Sequence, residues 1–254
     1  MKPRLTFLLA ALCGSALTAQ AQTADELVAM NLTARGGIER LRAIRTMTVT
    51  AKLVTPDGHG GPMTIQLMRP DLIREEMDFG PAKSVRAFDG KAGWETHADS
   101  GTVEIRPITG GDLDSLRDEG ANGIDGSLAD YKAKGNKVTF EGAAVVEGRP
   151  CYKLKVVLRS EHVQYLFLDA QSFLEVHEEI VRSVDGGESI IEETIADYRE
   201  EGGVLFAHRY VSGLAGKPQK STLTFEKIDI NPPLERSLFA KPVPEKKPAK
   251  ATKP

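Results

Sequence analysis

Glu75-Glu76, Glu178-Glu179 and Glu192-Glu193 look like paired carboxylates. Two carboxylates held close together can share a proton and do general acid–base work. Each pair falls in a stretch that alternates apolar and polar residues, and strand neighbours point to opposite faces. None of the three is therefore a pair in space by itself. Residues two apart do share a face, which groups Glu175, His177 and Glu179. Two carboxylates and an imidazole are a workable metal set. The opposite face carries Leu174 and Val176, so the acidic face reads as solvated, and neither a metal nor a cofactor is expected.

The remaining reactive side chains stand alone. His208 shares a predicted strand face with Phe206 and Tyr210 and has no Ser, Cys or Asp at motif-like spacing, so it reads as a satisfied or edge histidine. Cys151 falls within a strand pattern and reads as an inert buried residue. Gly213-Leu-Ala-Gly-Lys217 is similar to the end of a phosphate loop, but Pro218 stands where Ser or Thr is needed. Nucleophile-elbow, dinucleotide and zinc-protease motifs are absent. No catalytic residue is expected, and the chain reads as non-enzymatic.

Composition narrows the class. Of 254 residues, 41% are hydrophobic and 27% charged, the balance of a globular protein rather than a disordered one. Lys2 and Arg4, the apolar run Leu5–Leu12 and Ala19-Gln20-Ala21 have the pattern of a secretory signal peptide over residues 1–21. Cys13 follows Leu12, where lipidation wants a small residue. Beyond residue 21 only Cys151 remains, so no intrachain disulfide can form and the core alone must hold an exported, periplasmic domain. Residues 241–254 carry five Lys and one Glu among Pro and Ala and read as a disordered tail. Formal net charge is −3; setting aside Lys2, Arg4 and the tail's +4, residues 22–240 carry −9. An acidic body speaks against nucleic acid as a partner.

These residues must be positioned mainly by strands. Thr23-Ala-Asp-Glu26 fits a capping box, and Leu27, Met30 and Ala34, then Ile38, Leu41 and Ile44, predict a helix pair over 25–45 bent at Gly36-Gly37. Alternation then predicts strands through Met47–Leu53, Met63–Leu67, Ile73–Phe79, Val85–Asp89, Gly93–His97 and Thr102–Ile108, with Asp89-Gly90 a hairpin turn. Two short helices are expected within 109–135, one over Asp112–Glu119 and one over Leu128–Lys134 capped by Ser127. Strands resume from Val138 to Ile230. About ten antiparallel strands with helices inserted in two places predict one α+β domain over 22–240. Some forty helical residues give such a sheet only partial cover, which leaves either an apolar cavity or a space that aromatic and aliphatic side chains fill completely.

Arg69-Pro-Asp-Leu-Ile-Arg74, Pro81, Asp89-Gly-Lys91 and Trp94 resemble the strand junction and hairpin of the periplasmic lipoprotein carrier and its superfamily. Ala34-Arg-Gly-Gly37, Ala196-Asp-Tyr-Arg199 and Asn231-Pro-Pro-Leu234 are similar to a broader group of outer-membrane lipoprotein-sorting-like proteins. The resemblance implies a curved, unclosed β-barrel, a half-barrel covered by helices, with a cavity for lipid or lipoprotein acyl chains. It places Arg69 as the residue that bonds to the helical lid; the alternative is that Arg69 faces solvent or pairs with Asp71 or Asp78. Glu75-Glu76 departs from the carrier, which has apolar or aromatic residues there. The expected cavity lining is Met63, Ile65, Leu67, Leu154, Val156, Phe206 and Tyr210. The alternative function on the same fold is an envelope-stress sensor or regulatory protein that binds an inner- or outer-membrane protein partner, and an uncharacterised hydrolase ranks last.

Overall fold

The first helix is set by its cap. The computed structural model describes residues 22–78, 80, 83–99, 102–184 and 187–242; the signal-peptide reading, Cys13 and residues 243–254 of the tail lie outside the described residues. Thr23 Oγ1 accepts from the Glu26 N–H (3.2 Å) and the Glu26 carboxylate accepts from the Thr23 N–H (2.7 Å), which starts α1 (Ala24–Ala34). Thr23→Ala should therefore lower stability by about 1 kcal/mol in a urea melt. Gly36 (φ 110°) and Gly37 (φ 97°) turn the chain into α2 (Ile38–Ala43). A Cβ on Gly36 would collide with the Gly203 carbonyl oxygen, so this turn needs glycine for space as well as for φ.

Thirteen strands follow among the described residues, where the patterns predict about ten: β1 (Thr46–Val54), β2 (Gly60–Met68), β3 (Leu72–Asp78), β4 (Lys83–Phe88), β5 (Gly93–Asp99), β6 (Thr102–Ile108), β7 (Lys137–Val146), β8 (Arg149–Val157), β9 (Val163–Asp169), β10 (Glu175–Val184), β11 (Gly187–Glu201), β12 (Val204–Leu214) and β13 (Ser221–Ile230). All pair antiparallel in one sheet of order β6-β5-β4-β3-β2-β1-β13-β12-β11-β10-β9-β8-β7. β6 and β7 are its two edges and do not meet, so the sheet is a half-barrel and not a closed barrel. Strands consecutive in sequence thus lie at opposite edges, and residues 109–136 must cross the sheet to join them. That crossing carries α3 (Gly110–Asn122) and α4 (Tyr131–Lys134).

The crossing segment lies close on the sheet because glycine lets it. A Cβ on Gly120 would collide with the Asp71 carbonyl oxygen, and one on Gly123 would press on Leu67. Leu116 of α3 is fully buried with Ile73, Phe88, Leu67 and Ile65, one core cluster that extends to Leu41, Met47 and Val204. A second cluster joins Leu27 and Val28 of α1 to Leu128, Leu154, Val156 and Leu168. Asp89-Gly90 forms the predicted turn: the Asp89 carboxylate accepts from the Lys91 and Ala92 N–H groups (both 2.8 Å), and Gly90 has φ 91°. The 3-10 helix Arg236–Phe239 closes the fold, with the Trp94 indole N–H donating to the Phe239 carbonyl (2.9 Å).

Residues 124–130 depart from expectation. Ser127 does not cap a helix. Its carbonyl accepts from Asn136 (3.1 Å) and its hydroxyl accepts from the Gln164 amide. The helix starts later, after Asp130, whose left-handed φ of 51° interrupts the run that Leu128 and Tyr131 suggested. Among the described residues, no helix is long and apolar enough to cross a membrane.

Candidate ligand cavity

Alternation builds the apolar wall. Met63, Ile65 and Leu67 of β2 turn inward beside Met47 and Val49 of β1, while Thr64 and Gln66 turn away. Ile73 and Met77 of β3 extend that wall, and Ile195, Phe206, Tyr210, Leu223 and Phe225 of β11–β13 form the other. Together with Ser115, Asp118 and Glu119 of α3 they line a cavity of about 630 Å³. That is within the range of about 300–1,000 Å³ typical of small-ligand sites. The structure places five of the expected lining residues there: Met63, Ile65, Leu67, Phe206 and Tyr210. Leu154 and Val156 are elsewhere, fully buried in the second cluster under α1. They belong to β8, where Leu27 and Val28 of α1 and Leu128 pack in the same cluster, whereas Leu158 and Leu166 of that cluster do reach the cavity.

Arg69 does not line the cavity; it braces the helices beside it. Its Nε donates to the Ile44 carbonyl (2.7 Å) and its Nη2 to the Leu41 carbonyl (3.0 Å) at the end of α2. Nη2 also meets the Asp125 carboxylate (2.7 Å) in the segment after α3. Asp125 is fully buried and takes a second cation, Lys134, at 2.5 Å. Burial pulls the Lys134 ammonium below its usual pKa, against the opposing pull of Asp125. Neither Asp71 nor Asp78 is the partner of Arg69; Asp78 pairs with Lys83 (3.0 Å). Asp125 carries no motif, and only the folded crossing segment brings it within reach of Arg69, 56 residues earlier.

The opposite wall is acidic, through a juxtaposition that sequence neighbours conceal. Glu178 of β10 lies directly across from Glu193 of β11, and both line the cavity. Burial pushes the Glu178 carboxyl up to about 8, with the charges of Glu193 and Glu175 adding to the rise and Arg182 opposing it. Burial alone raises Glu193 to about 7. The expected grouping of Glu175, His177 and Glu179 is broken by an irregularity in β10 between Glu175 and His177, which moves Glu175 to the cavity side. His177 instead meets the edge of Phe167 (ring centroids 5.1 Å apart), and Glu179 pairs with Lys153 (3.0 Å). Among the described residues, no group of three or more His, Cys, Asp or Glu could hold a metal ion.

Helix α3 is clasped to the sheet by polar side chains. Arg86 of β4 joins Glu119 (2.7 Å) and Glu75, and Arg182 of β10 donates to Ser115. Asp118 accepts from Ser160 Oγ (2.6 Å) and lies 2.8 Å from His162 Nδ1. Ser160, His162 and Asp118 are the residue types of a nucleophilic triad in the wrong order. The hydroxyl bonds to the carboxylate rather than to the imidazole, so the imidazole is not placed to take its proton. His208 is 1% exposed with Nδ1 2.8 Å from the Phe225 carbonyl and does not join Phe206 and Tyr210 in the cavity wall. Cys151 is buried, and burial raises its thiol pKa, as an unreactive cysteine requires.

A LolA superfamily protein from Nitrosomonas europaea aligns over 87% of this chain and 99% of its own, with a TM-score of 0.56 at 15% identity. This chain has the LolA-superfamily fold. A proposed outer membrane lipoprotein-sorting protein domain from Vibrio parahaemolyticus aligns over 85% of this chain and 95% of its own (TM-score 0.55, 12% identity). A DUF1329 family protein from Desulfovibrio piger does so over 85% and 97% (TM-score 0.55, 10% identity). No protein-family model matches the sequence, and no curated protein matches it significantly. The LolA-type half-barrel is thus held here by a sequence that shares little with these structures, and its cavity carries charges of its own.

Proposed function

We propose that this chain is a non-enzymatic periplasmic binding or carrier protein for an amphiphile with an acyl chain, of the kind handled in outer-membrane lipoprotein sorting or lipid transport. The observation that carries this reading is the cavity of about 630 Å³, walled by Met63, Ile65, Leu67 and Phe206 and roofed by α3. Such a wall favours an apolar chain by about 25 cal/mol per Å² removed from water. The roof suits a ligand that must enter and leave. Its links to the sheet and to the loop before β9, Arg86–Glu119, Arg182–Ser115 and His162–Asp118, are polar and only part-buried. Arg69 braces the hinge side of that roof through α2 and Asp125, and we assign it the coupling of roof position to occupancy.

The test is direct. Protein purified from its own envelope should carry lipid by native mass spectrometry, and the purified chain should bind a fluorescent fatty acid that unlabelled acyl chains displace. Ile65→Trp places an indole in the cavity and should weaken that binding at least about tenfold, since an overfilled wall leaves no room for the chain. A protein that carries no lipid and takes up no probe would end the carrier reading. One stoichiometric membrane protein recovered in its place would favour the regulatory alternative.

A further inference from the structure

The cavity holds a buried guanidinium that has no carboxylate partner among the described residues. Arg35 caps the C-terminus of α1, is 6% exposed, and contributes to the cavity wall. Its backbone is fixed on both sides: the N–H donates to the Asn31 carbonyl (2.9 Å), and its own carbonyl accepts from the Leu205 N–H (2.9 Å). The glycine turn that follows allows this close approach to β12. The guanidinium has five N–H donors. Nη1 donates to the Asp125 carbonyl oxygen (2.8 Å), and Nε has no partner. Among the described residues, no carboxylate lies within ion-pair distance of it. The Asp125 carboxylate is already taken by Arg69 and Lys134.

Arg69, Arg74 and Arg86 have carboxylate partners, Asp125, Glu76, and Glu75 with Glu119, and Arg182, less enclosed than Arg35, donates to the Ser115 hydroxyl. A buried guanidinium left with free donors is costly unless something else supplies the acceptor. Two phenols, Tyr198 and Tyr210, are near enough to feel the Arg35 charge, and both line the same cavity. We propose that Arg35 anchors the anionic head, a carboxylate or a phosphate, of an amphiphile whose chain lies along Met63, Ile65 and Phe206. This rests on the ligand-binding reading of the cavity given above. Arg suits the task because its planar fork matches both head groups and stays charged. Burial raises the carboxyls of Glu178 and Glu193 well above the usual carboxylate range, to about 8 and about 7, so near neutral pH Glu178 is mostly uncharged and Glu193 carries about half a charge.

Competition against an uncharged phenylnaphthylamine fluorophore separates the possibilities, with dodecanoate, dodecyl phosphate and dodecanol as competitors. One charge-assisted anchor should make the better anion bind about 10–100-fold tighter than dodecanol. Comparing dodecanoate with dodecyl phosphate then says which head group the site takes. Arg35→Met should collapse the ratio towards one, and Arg35→Lys should retain part of it. Equal affinity for charged and uncharged chains in the unmodified protein overturns the anchor and leaves the cavity reading standing, and that comparison needs no variant to fold. Displacement by none of the three overturns both.

Discussion

Asp125→Ala is expected to destabilise the protein by about 3–5 kcal/mol, because it removes the one anion shared by two enclosed cations. The Asp125 side chain is 1% exposed and those of Arg69 and Lys134 are 18% and 14% exposed, so water can replace little of what is lost. The two cations would then repel each other across the vacated site. Asp125→Asn keeps the shape but not the charge and should cost nearly as much. Adding Lys134→Met to Asp125→Ala should recover part of the loss, since it withdraws one stranded charge; urea melts of the four proteins of that cycle measure the coupling. Arg69→Leu should be milder in stability, because Asp125 keeps Lys134. It cuts α2 loose from the β2–β3 junction, however, by removing the bonds to the Leu41 and Ile44 carbonyls. Its larger effect should be on release of the bound probe. A cost below about 1 kcal/mol for Asp125→Ala would place this cluster in solvent, in the range of exposed ion pairs.

What the sequence made legible was local and periodic. The alternation of Met63, Ile65 and Leu67 with Thr64 and Gln66 identified both a strand and its buried face, because period two leaves no other reading. The spacing of Thr23 and Glu26 identified the helix start, since each side chain satisfies the other's backbone. What stayed hidden depends on where distant segments come to rest. Leu154 and Val156 alternate as well as Ile65 does, but whether an inward face meets a helix or a cavity is set by the path of α1 and α3 over the sheet. Asp125 sits in a segment without periodicity, and its partners are 56 residues before and 9 after it. One irregularity in β10 reverses the side to which Glu175 points, and alternation carries no warning of it. The facing of Glu178 and Glu193 was accessible in principle. Antiparallel strands pair positions whose numbers sum to a constant, so Glu178 has Glu193 as its cross-strand partner although neither is adjacent to the other in sequence.

That facing pair makes stability fall as pH rises. Both carboxyls have folded-state pKa values, about 8 for Glu178 and about 7 for Glu193, above the ordinary 4.5. Between those limits the unfolded chain has released protons that the folded chain still holds, so the stabilisation present below 4.5 is lost as pH climbs towards 8. His177 acts in the other sense, since burial lowers its pKa from the usual 6.5, but its effect ends near that value. The decline should therefore be cleanest from about pH 6.5 to 8, and the free energy of unfolding from urea melts should drop by about 2 kcal/mol across it, less than full burial would give because cavity water screens the charges. Glu178→Gln with Glu193→Gln should flatten the curve and exceed the unmodified protein at pH 8.5, whereas Glu179→Gln, beside Lys153 on the other face, should leave the slope in place. A stability that is level or rising across that window would mean the two carboxyls are ionised at neutral pH. In that event the cavity wall would be anionic, and it would disfavour an anionic ligand head in the same cavity. The pH slope of the empty protein therefore bears on the sign of the charge its ligand can carry.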